Sequence, residues 1–275
     1  MGCSPIAPVR TTIRAIIAGA MLSLGATAAH SQNATWLPAP GSSDFDTAAN
    51  WSPATVPTNT ATFGASNTTS LTFSSNATTI GTLQFQAAAP AYTFTVTNAL
   101  DITGTGIVNN SSGAPIINDF NNSHNFGTFF QNASTAANAI INNTAGYVEF
   151  AQTSTAASST ITNTAQGAAF FVNTSTAGNA NITTNGANTF TVFSDASMAG
   201  NAIMTTGNGG ATFFSNSSTA DNATVTTNAG GTTAIQNTAS GGHAQFITNA
   251  GGIFDISGLS SGGTTAGSIA GAGSF

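Results

Sequence analysis

Cations are almost missing from this 275-residue chain: its two basic residues, Arg10 and Arg14, both lie near the N-terminus. The eight acids, Asp44, Asp46, Asp101, Asp119, Glu149, Asp195, Asp221 and Asp255, are spread over the remainder. Without its first 31 or so residues the chain would set no Lys or Arg against those acids. Nucleic-acid phosphates and anionic lipid surfaces would find nothing to pair with, which excludes both as partners. Cysteine is as scarce. Cys3 stands alone and precedes the N-terminal apolar run, whereas a lipid-bearing cysteine would follow it. Disulfides and thiolate metal sites are therefore excluded from the mature part, and its stability must come from backbone hydrogen bonds and interior packing. Long hydrophobic runs are also lacking. Beyond the N-terminus nothing approaches the roughly 18 consecutive apolar residues of a membrane helix, so the mature part is not expected to insert in a membrane.

What remains is ordered in a definite way. Residues 1–31 read as a secretory signal peptide: Arg10 and Arg14 supply the positive region, Ile13 to Ala29 a short apolar run, and the small residues at 26–31 several cleavage sites. Export through the inner membrane is the expectation. Downstream, Asn, Thr, Ser, Ala and Gly dominate, as in a disordered polymer, yet the 40% hydrophobic fraction is ordinary and its large members are phased. Phe130, Phe150, Phe171, Phe193, Phe214, Ile235 and Ile256 recur at intervals of 20, 21, 22, 21, 21 and 21 residues. A second apolar column, Ile141, Ile161, Ile182, Met204, Val225 and Phe246, follows eleven residues later in most units. Ser134, Ser154, Ser175, Ser197, Ser218, Ala239 and Ser260 form a column of small residues. Asn138, Ser158, Asn179, Asn201, Asn222 and His243 form a polar corner, and glycines such as Gly146, Gly167 and Gly186 close each unit.

An even period near 21 marks a solenoid, in which each repeat is one coil and equivalent side chains stack. Segments such as Ala169–Val172 and Asn181–Thr184 are β-branched or aromatic and too short for helices. The predicted fold is all-β, a right-handed parallel β-helix of about 21-residue coils, with Phe171 inward and Phe170 and Val172 outward. Propeller blades would need about twice that period. Residues 32–127 read as an N-terminal cap followed by irregular β-coils, and residues 128–275 as the regular solenoid. Trp36 and Trp51, set among Pro38, Pro40, Pro53 and Pro57, suit a cap over the first rung; a sugar-stacking role is the alternative.

With these residues placed, the chain resembles the secreted passenger region of bacterial autotransporter (type V secretion) proteins. The segment ATWLPAPGSSDFDTAANWSPATVPTNTATFG, residues 34–64, looks like the opening of many such passengers. Units such as STAGNANITTNGANTF and STADNATVTTNAGGTT resemble their repeats, and GSIAGAGSF, residues 267–275, resembles the passage to a following segment. The resemblance implies a surface or extracellular stalk or adhesin, normally delivered by its own C-terminal membrane barrel. A barrel would show many segments of about 10 alternating residues. After Ile256 the sequence offers little beyond Gly, Ser, Thr and Ala, so a truncated passenger is the expectation, periplasmic if the translocator is truly missing.

Catalysis finds little support in the residues. Glycoside hydrolysis needs two facing carboxyl groups, and here Asp44 and Asp46 alternate on a short segment while Glu149, Asp195, Asp221 and Asp255 occupy different columns. Lyase chemistry wants a basic group, which the mature part lacks in the form of Lys or Arg. His30, His124 and His243 are isolated, and His243 falls in the corner column. Neither a regular Asp in the Gly-rich corners for calcium nor a Gly-x-Ser-x-Gly turn with partners emerges. No catalytic, cofactor or metal residue is assigned. The sequence supports a non-enzymatic stalk or adhesive surface whose partners are host or abiotic surfaces or glycans. The alternatives are a β-helix enzyme acting on polysaccharide, and an ice- or crystal-binding array built on Thr162, Thr183, Thr205 and Thr226, with Thr160 and Thr224 beside them.

Overall fold

The computed structural model describes residues 31–120 and 126–275, which leaves the expected signal peptide, His30 and His124 outside the described residues. Residues 31–275 form one compact unit. It is a β-solenoid of parallel, stacked coils. A 12-stranded sheet carries the Phe ladder and a 10-stranded sheet carries the Ile column; we call them the Phe sheet and the Ile sheet. A third, single-residue line of bridges runs Thr135, Thr155, Thr176, Met198, Thr219, Ser240. In the Ile sheet, Ile141, Ile161, Ile182, Met204, Val225 and Phe246 are successive in-register partners, so one coil is 20 to 22 residues, as the sequence period predicts.

Alternation along each strand sorts the side chains. Phe130, Phe150, Phe171, Phe193, Phe214 and Ile235 are fully buried. The rings stack at centroid separations of 4.8, 4.9, 4.6 and 4.9 Å, with planes within 10° of parallel. That separation is the inter-strand spacing itself, about 4.8 Å: the backbone ladder fixes the ring stack. Ile256 departs from the expected ladder and is 43% exposed, because its strand ends one residue earlier at Asp255.

The left-handed residue of each corner precedes the polar column by one position. Asn138, Ser158, Asn179, Asn201 and Asn222 are not the left-handed residues. Positive φ falls just before them, at Ala137, Ala157, Gly178, Gly200, Asp221 and Gly242. Local hydrogen bonds cap this turn in five of the six coils. The hydroxyls of Thr135, Thr155, Thr176, Thr219 and Ser240 each accept the backbone N–H two residues on, at 3.0 Å, folding the chain into a side-chain-capped turn. A second left-handed column lies at Asn132, Gln152, Asn173, Asp195, Asn216 and Asn237, with φ between 53° and 58°. The repeated segment Ser-Thr-Ala-Gly-Asn-Ala is thus decoded residue by residue. In Ser175 to Ala180, Ser175, Ala177 and Ala180 are buried, Thr176 bridges and caps, Gly178 turns left-handed and Asn179 faces water.

The turn from the Ile sheet back to the Phe sheet needs glycine for space. A Cβ on Gly167 would lie 2.1 Å from the Asn143 carbonyl oxygen, and one on Gly231 would lie 2.6 Å from that of Thr206. At the first rung, Trp36 and Trp51 are buried and pack edge-to-face at 4.9 Å, with Phe45 and Phe63 against them. Their indole N–H groups donate to the Thr68 and Phe45 carbonyls at 2.9 and 2.7 Å. The tryptophans close the solenoid and offer no ring face to a sugar.

Candidate functional surfaces

Inside the solenoid runs a polar stripe that the sequence reading missed. Asp119, Asn143, Asn163, Thr184, Thr206, Thr227 and Thr248 form an inward column of the Ile sheet, all buried. Thr184, Thr206 and Thr227 bond across the core to Thr191, Thr212 and Thr233 of the Phe sheet at 2.6, 2.6 and 2.7 Å. The Asn143 amide donates to Asn163 Oδ1 at 2.9 Å. The visible signal was the doublet Thr183-Thr184, Thr205-Thr206 and Thr226-Thr227, of which one member must face inward by strand alternation.

Asp119 begins this stripe. It is fully buried and accepts one hydrogen bond, from the Thr128 hydroxyl to Oδ1 at 3.0 Å, while Oδ2 has no partner among the described residues. Burial pushes its pKa up to about 8, the Thr128 bond opposing the shift. Its in-register neighbour Asn143 has an unpartnered Oδ1. Both crowd Gly146, where a Cβ would meet Asp119 Cβ at 2.6 Å and Asn143 Oδ1 at 2.7 Å. A protonated Asp119 has a hydroxyl donor to give, beside an amide oxygen that lacks one.

The other acids are dispersed over the fold. Asp44 and Asp46, which the sequence placed on alternating sides, both face the segment 74–78. Asp44 accepts from the Ser74 hydroxyl at 2.8 Å and its N–H at 3.1 Å, and Asp46 from the Ser75 N–H at 2.9 Å and the Thr78 hydroxyl at 2.8 Å. Partial burial alone would raise the Asp44 pKa, but hydrogen bonds from Thr47, Ser74 and the Asp46 and Ser74 backbone outweigh it and hold it below the usual value. These two acids pin the cap loop. Asp101 is half-buried with a raised pKa and accepts from Gln131 at 3.1 Å. Asp195 belongs to a corner ladder of amides, where Oδ2 accepts the Asn173 N–H at 2.8 Å. Asp221 holds the left-handed position before Asn222, and Asp255 bonds the Ser257 N–H at 2.8 Å. Glu149 stands on the outer face of the Phe sheet between Phe129 and Phe170. Burial and the Glu149 charge push the nearby Tyr147 up to about 12. His243 is an exposed corner residue, as its column predicts.

Two outer faces are regular. On the Ile sheet, Thr95, Asn118, Asn142, Thr162, Thr183, Thr205 and Thr226 are successive in-register partners along one outward column. The flanking column, Thr160, Asn181, Ile203 and Thr224, alternates in chemistry, and Ile203 is 55% exposed. On the Phe sheet the outward column reads Asp101, Phe129, Glu149, Phe170, Val192, Phe213. Tyr147 and Phe170 stack at 4.5 Å and 16°, whereas Phe190 and Phe213 lie 6.2 Å apart with their planes tilted by 35°.

These arrangements define a parallel β-solenoid with one hydroxyl- and amide-bearing face and one face that mixes aromatic and acidic side chains. The chain matches no known family, no curated protein and no solved structure.

Proposed function

We propose that this chain is an exported, non-catalytic solenoid that acts as a stalk or adhesive surface outside the inner membrane, in the manner of an autotransporter passenger. One observation carries the reading: the outward Thr/Asn column repeats in register over seven rungs without a change of direction. At about 4.8 Å per rung the column presents one hydroxyl or amide per coil along roughly 29 Å. Each such group binds weakly, and many identical groups held in line bind by effective concentration. Glycans and mineral or host surfaces are the partners that fit a neutral, hydrogen-bonding array. The stacked Phe interior gives the array its rigidity.

Beads coated densely with the purified chain test this against glycan- and mineral-coated surfaces. They are expected to be retained, and a chain with Thr162, Thr183, Thr205 and Thr226 all changed to Ala loses at least tenfold in retention while its melting temperature holds. Cleavage of polysaccharide by the unmodified chain would favour the enzyme reading instead. The Thr column also favours a second reading, ice or crystal binding, but Asn181 and Ile203 interrupt the adjacent row. Thermal hysteresis at micromolar protein would establish it.

A further inference from the structure

The hydroxyl- and amide-bearing face is interrupted by a notch at Gly207. On the Ile sheet Thr164, Asn185, Gly207 and Asn228 directly follow the inward residues Asn163, Thr184, Thr206 and Thr227, and alternation turns them outward. Gly207, in register with Asn185, has no side chain to present. Its neighbours on the following turn are glycine by necessity: a Cβ on Gly210, Gly231 or Gly252 would lie 2.7, 2.6 or 2.6 Å from a carbonyl oxygen of the preceding coil. Gly207 is under no such demand. Its φ is outside the left-handed region, and a Cβ there would meet Asn228 Cβ at 3.4 Å and the Ala229 oxygen at 3.9 Å, ordinary contact distances. The missing side chain opens a cavity of about 230 Å³. Thr183, Thr205, Asn185, Asn208 and Asn228 wall it, and Ala229 adds an apolar side. Two ladder bonds fix its amides: Asn208 Nδ2 donates to Asn185 Oδ1 at 2.7 Å, and Asn249 Nδ2 to Asn228 Oδ1 at 2.8 Å. The Asn185 and Asn228 amino groups, the Asn208 carbonyl and the Thr183 and Thr205 hydroxyls have no partner among the described residues.

We infer that this notch is a subsite for one neutral pyranose residue of a glycan. A sugar hydroxyl both donates and accepts, and the wall supplies amide donors, an amide acceptor and hydroxyls that do either. No ionised side chain lines the cavity. Uronic and sialic acids therefore find no cation to pair with, and a metal cation finds no carboxylate. The volume is below the roughly 300–1,000 Å³ of sites that enclose a drug-sized ligand, which suits one ring rather than an oligosaccharide. Because the ladder bonds hold the amides beforehand, binding has few side chains to order. The room itself comes from a glycine that the backbone does not require. The notch extends the glycan reading of the outward column, to which Thr183 and Thr205 belong, and rests on it.

Methyl glycosides of glucose, galactose and mannose, titrated into the isotope-labelled chain and followed by the side-chain amide signals in nuclear magnetic resonance, test it. At least one is expected to bind with a millimolar Kd, shifting Asn185, Asn208 and Asn228 and sparing Asn142 and Asn181. Gly207→Asn fills the notch with the side chain that its column carries at Asn185 and Asn228. It should weaken that binding at least tenfold while the melting temperature holds or rises. Asn208→Ala, at an exposed position, removes the bond that fixes Asn185 and carries the same expectation; it stands in if the first variant does not fold. Glycoside binding at the notch by a chain whose coated beads are not retained would uphold the subsite and refute the adhesive array. Retained beads with no glycoside shift would refute the subsite and leave the array. Binding indifferent to both substitutions, shifts at other residues, or equal binding of N-acetylneuraminic acid would each overturn it as well.

Discussion

Asp119→Asn should make the protein more stable at neutral pH and flatten its dependence on pH. In the folded chain the carboxyl has a pKa of about 8 against 3.8 for an ordinary Asp, because burial disfavours its charge. Between those two values the folded state holds a proton that the unfolded chain has lost. Stability therefore falls as pH rises from about 4 to about 8, at up to about 1.4 kcal/mol per pH unit, and levels off above. By pH 7 the accumulated loss is on the order of 4 kcal/mol, an upper figure that water entry and local relaxation would reduce. Asn keeps the shape, accepts from the Thr128 hydroxyl through its carbonyl, and offers N–H donors toward Asn143 Oδ1. Urea unfolding from pH 4 to pH 9, followed by circular dichroism, reads both proteins. The variant is expected to gain about 2 kcal/mol or more at pH 7 and to match the unmodified chain near pH 4. A variant less stable than the parent at pH 7, or a parent indifferent to pH across this range, would refute the assignment of a neutral, buried Asp119.

Three further changes probe the coils. Phe171→Ala removes a ring stacked at 4.9 and 4.6 Å on its two neighbours, and should cost about 3–5 kcal/mol in chemical denaturation. Met198→Thr places a hydroxyl in the one bridge position of its column from Thr135 to Ser240 that lacks it. By analogy with Thr176 and Thr219 it should cap the Gly200 N–H and add about 0.5–1 kcal/mol. Ala157→Gly relieves a left-handed alanine at φ 51°, where Gly178 sits one coil on, and should raise stability by about 0.5–1 kcal/mol. Unchanged or lower melting temperatures for the last two would contradict the turn mechanism.

The solenoid was legible in the sequence because its determinants repeat: one large apolar residue every coil in each sheet declares the period and the inward faces. The Trp-bearing cap was legible for the complementary reason, as the segment where the pattern fails. Three features were not. The left-handed residue lies at Gly178, before Asn179 rather than on it, and the Thr176 hydroxyl caps that turn by accepting the Gly178 N–H. The inward Thr column was hidden because Thr184 and Thr183 are the same residue type on opposite faces, and only strand alternation separates them. Asp119 read as one more dispersed acid. Its burial comes from lying in register with Asn143, across the irregular coil that precedes the uniform repeats. The outward Thr column of the candidate surface was visible from residue 162 on, but its continuation through Asn142, Asn118 and Thr95 changes residue type and spacing and emerged with the register.

In-register stacking places Thr95 and Thr226, 131 residues apart in sequence, six rungs apart on one outward column. Spin labels at Thr95→Cys and Thr226→Cys, with Cys3 replaced by Ser, make the most direct test by pulsed electron resonance. The account predicts a single narrow distribution centred near roughly 29 Å, and a Thr162–Thr226 pair at about half that distance. A broad distribution, or a separation that does not shrink in proportion to the rungs removed, would contradict it.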